Sequence, residues 1–260
     1  MTPWVLDLDG VIWVGERAVP GAADAVAALQ RRHPVWFCTN NSSGTIADYA
    51  ERLASHGIDS MGRIVSSATA AGSTLSTGQR VLCCAGPGVT EAVQCAGSVV
   101  IDPRTSSASA WAEVDVVIIG FHRNVMYRTL QAATRAVLGG ARFLATNDDP
   151  IYPDTDGPSP GCGALVAAVE RASGHRAEIM GKPHAPMAHL MRQRCEAGGF
   201  SVATGVMVGD SPATDGELAR RLGWPFGLVL TGNTDADAVP TDHPADWVAH
   251  DLAELVCRHA

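Results

Sequence analysis

Two carboxylates stand where the first apolar run of the chain ends, in Asp7-Leu8-Asp9-Gly10-Val11. Residues two apart point to the same side of an extended chain, and paired negative charge at a buried strand end is costly without a counterion. A hard cation is the natural partner of such a pair. An ordinary Asp-Gly turn is the alternative interpretation of this segment taken alone.

A second polar segment, Thr39-Asn40-Asn41-Ser42-Ser43, follows the apolar run 34–38. A hydroxyl, two amides and loop N–H groups that lead toward a helix can form a cradle for an anion. The alternative is a polar loop that ends in a helix cap. The segment alone does not decide between the two.

Two further segments complete the set. Lys182 lies between a glycine and a proline, and taken alone it would be interpreted as a solvated surface side chain. Asp210, Ser211 and Asp215 follow the apolar run that ends at Gly209. A helix N-cap would explain Asp215 but not Asp210.

Short apolar runs alternate with amphipathic stretches along nearly the whole chain. Strands are predicted at 3–8, 34–39, 63–66, 80–85, 115–120, 142–146, 204–209 and 226–230, and helices at 21–32, 45–56, 127–138, 163–172, 186–196 and 214–222. This alternation predicts an α/β fold with a parallel sheet and right-handed crossovers. Such folds bind ligands at the carboxyl ends of their strands, where the four polar segments fall.

Composition excludes several classes of protein. With 19 Lys and Arg against 27 Asp and Glu, the 260-residue chain carries a net charge of −8, which disfavours a nucleic-acid or anionic-membrane surface. No stretch reaches the roughly 18–20 apolar residues of a membrane span, and no signal peptide is recognised. Seven cysteines, with Cys83 and Cys84 adjacent, fit neither a disulfide framework nor a zinc motif. We expect a cytoplasmic protein with reduced thiols.

In order, placement and residue type, the four segments resemble the motifs of the haloacid dehalogenase-like (HAD) phosphohydrolase superfamily. Their sequences, DLDGV, TNNSS, GKP and GDxxxTD, are similar to the motifs of the branch that contains NagD and the p-nitrophenylphosphatases. This branch includes phosphoglycolate and pyridoxal phosphatases. Residues 145–150, 160–165 and 229–232 resemble further segments of that branch. The resemblance therefore covers nearly the whole chain.

The resemblance implies a Mg²⁺-dependent phosphatase. Asp7 would be the nucleophile that forms an aspartyl-phosphate, and Asp9 the general acid and base. Mg²⁺ would be held by the Asp7 carboxylate, the backbone carbonyl of Asp9 and the Asp210 carboxylate. The phosphate is expected to be bound by Thr39, Asn40 and Lys182. Asp215, Asn41 and Ser211 are expected to support the groups that touch substrate or metal.

Asp9 separates the reactions of the superfamily, because a dehalogenase needs no general acid there and a phosphatase does. A haloacid dehalogenase, a phosphotransferase and a catalytically idle phospho-ligand sensor remain the alternatives. Gly44 and Ser211 stand where the branch often has basic residues. Their identity puts in doubt a substrate with a second strong negative charge.

The resemblance also implies a Rossmann-like core, residues 1–79 and 179–260, with an α/β cap domain inserted at 80–178. Within the cap, Tyr152, Asn147 and Asp148 are expected to set substrate specificity. For Tyr152 the alternative is an aromatic packed on the cap core. For Cys162 the two interpretations are a residue that borders the pocket and a small buried thiol. The expected partner is a small phosphorylated metabolite, and a homodimer is left open.

Gly86-Pro87-Gly88-Val89-Thr90-Glu91 follows a predicted strand and has two of the three glycines of a dinucleotide-binding loop. Glu91 replaces the third glycine and would bring negative charge close to a pyrophosphate, and Pro87 removes one N–H donor. We therefore do not expect this segment to bind NAD.

Overall fold

The computed structural model of the protein describes residues 1–154, 157–238 and 245–260. Contacts within the chain divide it into two compact units, one of residues 1–39, 47–65 and 182–260 and the other of residues 40–46 and 66–181. The expected division into a core of 1–79 and 179–260 and a cap of 80–178 stays a prediction.

The first unit is built on a sheet with the order β15-β14-β13-β1-β4-β5, in which the pairs from β15 to β4 are parallel. The strands are β1 (Trp4–Leu6), β4 (Val35–Thr39), β5 (Ile64–Ser66), β13 (Val206–Gly209), β14 (Phe226–Val229) and β15 (Trp247–Ala249). Leu6 lies opposite Phe37 on one side and Val208 on the other. This register brings the carboxyl ends of β1, β4 and β13 level with one another.

A two-stranded hairpin, five helices and two short helical turns complete the described part of the first unit. The hairpin strands are β2 (Trp13–Val14) and β3 (Arg17–Ala18). The helices and turns are α1 (Ala22–Gln30), α2 (Ile46–Ser55), α8 (Ala185–Ala197), a π-helical turn (Pro212–Gly216), α9 (Glu217–Leu222), a 3₁₀ turn (Ala236–Ala238) and α10 (Leu252–His259). The expected helix at 214–222 is thus a π-helical turn followed by α9. The change of geometry arises because the Ser211 carbonyl accepts hydrogen bonds from Thr214, Asp215 and Gly216.

The second unit has its own parallel sheet, of order β12-β9-β8-β6-β7. Its elements are α3 (Ser67–Gly72), β6 (Arg80–Cys84), α4 (Pro87–Cys95), β7 (Val99–Ile101), α5 (Ala108–Trp111), β8 (Val116–Ile119), α6 (Tyr127–Leu138), β9 (Arg142–Ala145), β10 (Ile151–Asp154), β11 (Gly157–Pro160), α7 (Cys162–Ser173) and β12 (Glu178–Ile179). The predicted α/β class with parallel sheets is confirmed. Buried Val and Ile side chains along β6 and β8 follow the pattern of strands covered on both faces.

Gly86 and Gly88, which resemble two glycines of a dinucleotide-binding loop, allow close packing against the backbone of the loop after β4. Gly86 caps α4 and Pro87 is its first residue. A Cβ atom on Gly86 would lie 2.7 Å from the Ser43 carbonyl oxygen, and one on Gly88 would lie 2.1 Å from the Gly44 carbonyl oxygen. Only glycine at both positions lets this backbone approach the loop after β4 so closely.

Candidate active site

Asp7 follows β1 directly, and its backbone N–H continues the sheet by donating to the Val208 carbonyl at 2.9 Å. Its carboxyl group is buried, and Oδ1 accepts hydrogen bonds from the Leu8 N–H at 2.7 Å and from Lys182 Nζ at 2.8 Å. In the part of the chain that the structure describes, no donor lies on the other carboxyl oxygen, Oδ2. One oxygen of Asp7 is therefore fixed and the other is available for chemistry.

Lys182 is buried to 98% of its surface, so the solvated-surface interpretation of this lysine is wrong. Its ammonium group donates to Asp7 Oδ1 at 2.8 Å, to Asp215 Oδ1 at 2.7 Å and to the Cys38 carbonyl at 3.3 Å. A buried ammonium is tolerated only when such acceptors surround it. The ammonium group is thus held between the carboxylate of Asp7, which follows β1, and that of Asp215, which lies in the π-helical turn after β13.

Asp210 follows β13 and is held by the loop after β14. The backbone N–H and the side-chain amide of Asn233 both donate to Asp210 Oδ2, at 2.6 and 2.9 Å. The Thr234 hydroxyl donates to the Asp210 carbonyl at 2.6 Å, and the Thr231 hydroxyl donates to the Gly10 carbonyl. These contacts tie the loop after β14 to both acidic segments.

Asp215 lies in the π-helical turn and is fully buried. Its Oδ1 receives the Lys182 ammonium, and its Oδ2 accepts the Ser211 N–H at 3.2 Å. Carboxylate oxygens of Asp7, Asp210 and Asp215 all lie within 4.8 Å of one another. The structure therefore brings together three of the acids and the lysine that the sequence singled out.

The charges of this cluster do not balance. Burial raises the pKa of Asp7 well above its usual value; Lys182 opposes the shift, and Asp215 and Asp210 add to it. Burial and the neighbouring Asp215 raise the pKa of Asp210 to about 6. Although burial alone would lower the pKa of Lys182, Asp215 and Asp7 raise it well above its usual value. With every group ionised, three carboxylates and one ammonium leave a charge of −2, which a divalent cation would neutralise.

Asp9 lies in the turn after Asp7, where its Oδ1 accepts a hydrogen bond from the indole Nε1 of Trp13 at 2.9 Å. Burial raises the pKa of Asp9, while the Trp13 hydrogen bond and the charge of Arg52 lower it in part. A carboxyl group with a raised pKa holds its proton more firmly than an ordinary one, as a general acid requires.

Thr39 is the last residue of β4 and is buried, which places it at the same end of the sheet as Asp7. Its neighbour Cys38 is also buried, and burial raises the pKa of that thiol to about 12. A thiol with so high a pKa does not act as a nucleophile at neutral pH. Cys38 contributes its carbonyl, which accepts from Lys182.

The remaining segment after Thr39 belongs to the second unit, where it meets the loop after β9. The Asn147 amide donates to the Asn40 carbonyl at 2.8 Å, and the Asn40 amide donates to Asp149 at 3.2 Å. Asn41 Oδ1 accepts from the Ser43 N–H and hydroxyl, at 3.0 and 2.7 Å. Asn40 and Asn147 are thus brought together, and Asn41 shapes its own loop.

Tyr152 is half-buried on β10, and its ring stacks on Phe121 with centroids 4.3 Å apart and planes 14° apart. Arg123 lies over the same ring, with Cζ 5.5 Å from the centroid. Asp148 is exposed, next to the buried Asn147. Cys162 is buried, and burial raises the pKa of its thiol. The specificity roles of Tyr152, Asn147 and Asp148 stay predictions.

Three residues of the site were not expected from the sequence. Trp13 donates a hydrogen bond to Asp9, and Asn233 donates to Asp210. Thr231 donates to the carbonyl of Gly10, the residue after Asp9. An indole six residues after Asp7 and a Thr-Gly-Asn-Thr segment after β14 were the available signals.

Comparison with known proteins supplies the family. A haloacid dehalogenase-like hydrolase model matches residues 4–98, and a HAD-hydrolase-like model matches residues 179–255. The acid sugar phosphatase of Staphylococcus epidermidis is 32% identical over 255 residues, which are 96% of this chain and 94% of that protein. The chain belongs to the haloacid dehalogenase-like hydrolase family.

Solved structures of HAD-like hydrolases agree with this assignment. The p-nitrophenyl phosphatase of Archaeoglobus fulgidus superimposes with a TM-score of 0.86 at 26% identity, covering 99% of this chain and 98% of that one. The glycerol phosphate phosphatase of Mycobacterium tuberculosis, in complex with magnesium, gives 0.85 at 30% identity over 97% of this chain and 75% of that one. The expected NagD and p-nitrophenylphosphatase branch is confirmed, and the protein is a phosphatase. Across the described residues, no helix is both long and apolar enough to cross a membrane.

Proposed function

We propose that this HAD-like phosphatase hydrolyses small phosphomonoesters with Mg²⁺ and an aspartyl-phosphate intermediate on Asp7. The observation that carries the proposal is the buried group of Asp7, Asp210 and Asp215 around Lys182, with a charge of −2 when ionised. A phosphatase needs positive charge at the transferring phosphoryl group, and this cluster needs a cation to be stable.

The donors fit magnesium. Carboxylate and carbonyl oxygens are the ligands that this ion prefers, and Asp7, Asp210 and the backbone carbonyl of Asp9 would hold it. When bound, the ion supplies positive charge to the phosphoryl oxygens during transfer. The tie between Asn233 and Asp210 Oδ2 would fix that ligand before the ion arrives.

The residues of the chain then divide the work between two steps. In the first, Asp7 Oδ2 bonds to phosphorus, the ester P–O bond breaks, and the leaving oxygen takes its proton from Asp9. In the second, Asp9 accepts a proton from water, the water oxygen bonds to phosphorus, and the Asp7–phosphorus bond breaks to release inorganic phosphate. Lys182 holds Asp7 Oδ1 and adds positive charge close to the phosphoryl oxygens. Thr39 contributes its hydroxyl at the end of β4.

The relatives support a proposal about the substrate class. An acid sugar phosphatase and a glycerol phosphate phosphatase are similar to this chain to nearly the same degree, at 32% and 30% identity. We propose that the physiological substrate is a small phosphorylated sugar or polyol. Gly44 and Ser211 add no cation to the site, which favours an ester whose organic part is uncharged.

Phosphate release from a panel of sugar, polyol and nucleotide phosphates, with Mg²⁺ or with EDTA, tests this function. Asp7→Asn should lower kcat on the order of 10⁴-fold or more, because an amide oxygen does not form the intermediate. Asp24→Asn, which changes an exposed carboxyl group of α1, should leave kcat unchanged. Mg²⁺-independent turnover, or normal turnover by Asp7→Asn, would show that the proposal is wrong.

A further inference from the structure

Trp13 binds a catalytic carboxyl group through its side chain, and the proposed reaction gives it no role. It opens the short hairpin of β2 and β3, and its side chain is fully buried. Its indole Nε1 donates to Asp9 Oδ1 at 2.9 Å. Within the described residues, this is the one side-chain donor that reaches the Asp9 carboxyl group.

The indole is held firmly in that position. The Trp13 carbonyl accepts the Gly10 N–H at 2.7 Å, and the Trp13 N–H donates to the Leu8 carbonyl at 3.2 Å. The guanidinium of Arg52 lies over the ring, with Cζ 4.0 Å from its centroid, and its Nη2 donates to the Gly15 carbonyl. The backbone between Leu8 and Gly15 and one side chain of α2 thus fix both the plane and the height of the ring.

An indole N–H donates hydrogen bonds and accepts none. A protonated Asp9 therefore cannot direct its own hydrogen from Oδ1 toward Trp13, because two donors would then face each other. Because the carbonyl oxygen of a carboxylic acid is a stronger acceptor than its hydroxyl oxygen, the favoured arrangement has Oδ1 as the acceptor and Oδ2 as the oxygen that carries the hydrogen. After that proton has left, the same N–H stabilises the carboxylate by a hydrogen bond to a charged acceptor.

We propose that Trp13 is a positioning residue that keeps the transferable proton of Asp9 on Oδ2 and turned away from the hairpin. This inference rests on the proposed function, in which Asp9 gives its proton to the leaving oxygen. Trp13 touches neither substrate nor the reacting phosphorus in that scheme, and its effect acts through Asp9.

The chemistry of the leaving group makes the proposal testable. An alkoxide leaving group must be protonated as the P–O bond breaks, whereas p-nitrophenolate leaves without a proton at neutral pH. A badly oriented general acid should therefore slow the hydrolysis of an alkyl phosphate much more than that of p-nitrophenyl phosphate. The parameter kcat/KM isolates this step, because it ends at the first irreversible event and excludes the breakdown of the aspartyl-phosphate.

Trp13→Phe removes the N–H donor and keeps an aromatic ring beneath Arg52. We expect it to lower kcat/KM for glycerol 3-phosphate by about 10- to 100-fold, and for p-nitrophenyl phosphate by less than about 3-fold. Across a series of substituted phenyl phosphates, the rate should depend more steeply on the basicity of the leaving group than in the natural enzyme. Trp36→Phe is the matched control, because Trp36 is also buried and its Nε1 has no hydrogen-bond partner among the described residues.

Each outcome decides between the alternatives. Equal losses for both esters would show that Trp13 only supports the fold, and no loss for either would show that it does not position Asp9; both overturn the proposal. If Trp13→Phe does not fold, replacement of Trp13 by 3-benzothienylalanine, which keeps the shape and exchanges N–H for sulfur, gives the same comparison. A natural enzyme that hydrolyses neither ester would instead contradict the proposed function.

Discussion

Lys182 donates to Asp215 across 2.7 Å, and both side chains are shielded from solvent. The same ammonium also binds Asp7 at 2.8 Å, so Asp215 is the group that holds the lysine beside the proposed nucleophile. Lys182 is the only lysine of the chain, since every other basic side chain apart from histidine is an arginine. An arginine would bring a wide planar fork where the two carboxylates enclose a compact ammonium.

Replacement of Lys182 should lower the free energy of unfolding more than replacement of its partner Asp215. Lys182→Met leaves three buried acids without a cation, and we expect a loss of about 3–5 kcal/mol in the free energy of unfolding. Asp215→Asn should cost less, because Lys182 keeps Asp7. Urea unfolding of both variants and of the double variant, in EDTA, gives the coupling energy. A double variant as unstable as the sum of the two would contradict a direct interaction.

Gly10 and Gly15 form a matched pair for testing whether the close contact between Gly10 and Asp210 positions the Asp210 carboxylate. Both have positive φ, +81° and +56°, so alanine is strained by about 1–2 kcal/mol at either position. A Cβ atom on Gly10 would lie 2.2 Å from Asp210 Oδ2, whereas one on Gly15 has no atom within 4 Å. We expect Gly15→Ala to keep its kcat and Gly10→Ala to lose at least about tenfold in kcat and in Mg²⁺ affinity. Comparable kinetics in the two variants would show that the position of Asp210 does not matter.

Tyr152 is expected to influence which ester is preferred. Tyr152→Ala should change the ranking of substrates in the phosphate-release panel more than it changes the rate with p-nitrophenyl phosphate. Because the ring stacks on Phe121, this variant should also unfold at a lower temperature, so Tyr152→Phe separates the hydroxyl from the packing. Tyr127→Ala is the control, since Tyr127 is 83% exposed in the same unit. An unchanged ranking in both Tyr152 variants would remove this residue from specificity.

The eight strands predicted from the sequence are all present, because each is a compact apolar run buried on both faces and bounded by polar residues. Strands β2, β3 and β12, of two residues each, carry no periodicity of their own and arise from pairing with a neighbour. The acids that follow β1 and β13 were also predictable, because parallel strands collect their carboxyl-end residues at one edge. Asp7 and Asp210 meet there for that reason, whereas Lys182 lies just before α8 and follows no strand of this sheet.

What the sequence could not supply are the partners of these groups. Asn233 lies far along the chain from Asp210, and only the register of β13 and β14 brings its amide to that carboxylate. The sequence around Trp13 is typical of a core aromatic residue. The turn from Leu8 to Trp13 orients its indole N–H toward Asp9. Gly86 and Gly88 resemble a ligand loop, yet their lack of side chains serves backbone packing. In each case, tertiary geometry selects one function among several that the residue type allows.

The metal-free protein should become less stable as the pH rises, which is the reverse of the effect expected for paired carboxylates. Burial raises the pKa of Asp210 from its ordinary 3.8 to about 6 and raises that of Asp7 as well. The folded protein then binds more protons than the unfolded chain between these values. Stability contributed by Asp210 is therefore fully present below about pH 4 and is lost as the pH rises through about 6, by up to about 3 kcal/mol.

Urea unfolding from pH 4 to 8 in EDTA measures this loss, and Asp210→Asn should partly flatten the curve because it removes one of the two titrating carboxyl groups. Asp24→Asn, at an exposed carboxyl group, should leave the curve unchanged. Saturating Mg²⁺ should restore the stability of the natural protein above pH 6, since the ion binds the ionised carboxylates of the folded state only. A curve that Asp210→Asn does not flatten, or that Mg²⁺ does not raise above pH 6, would show that the three acids do not form a cation site.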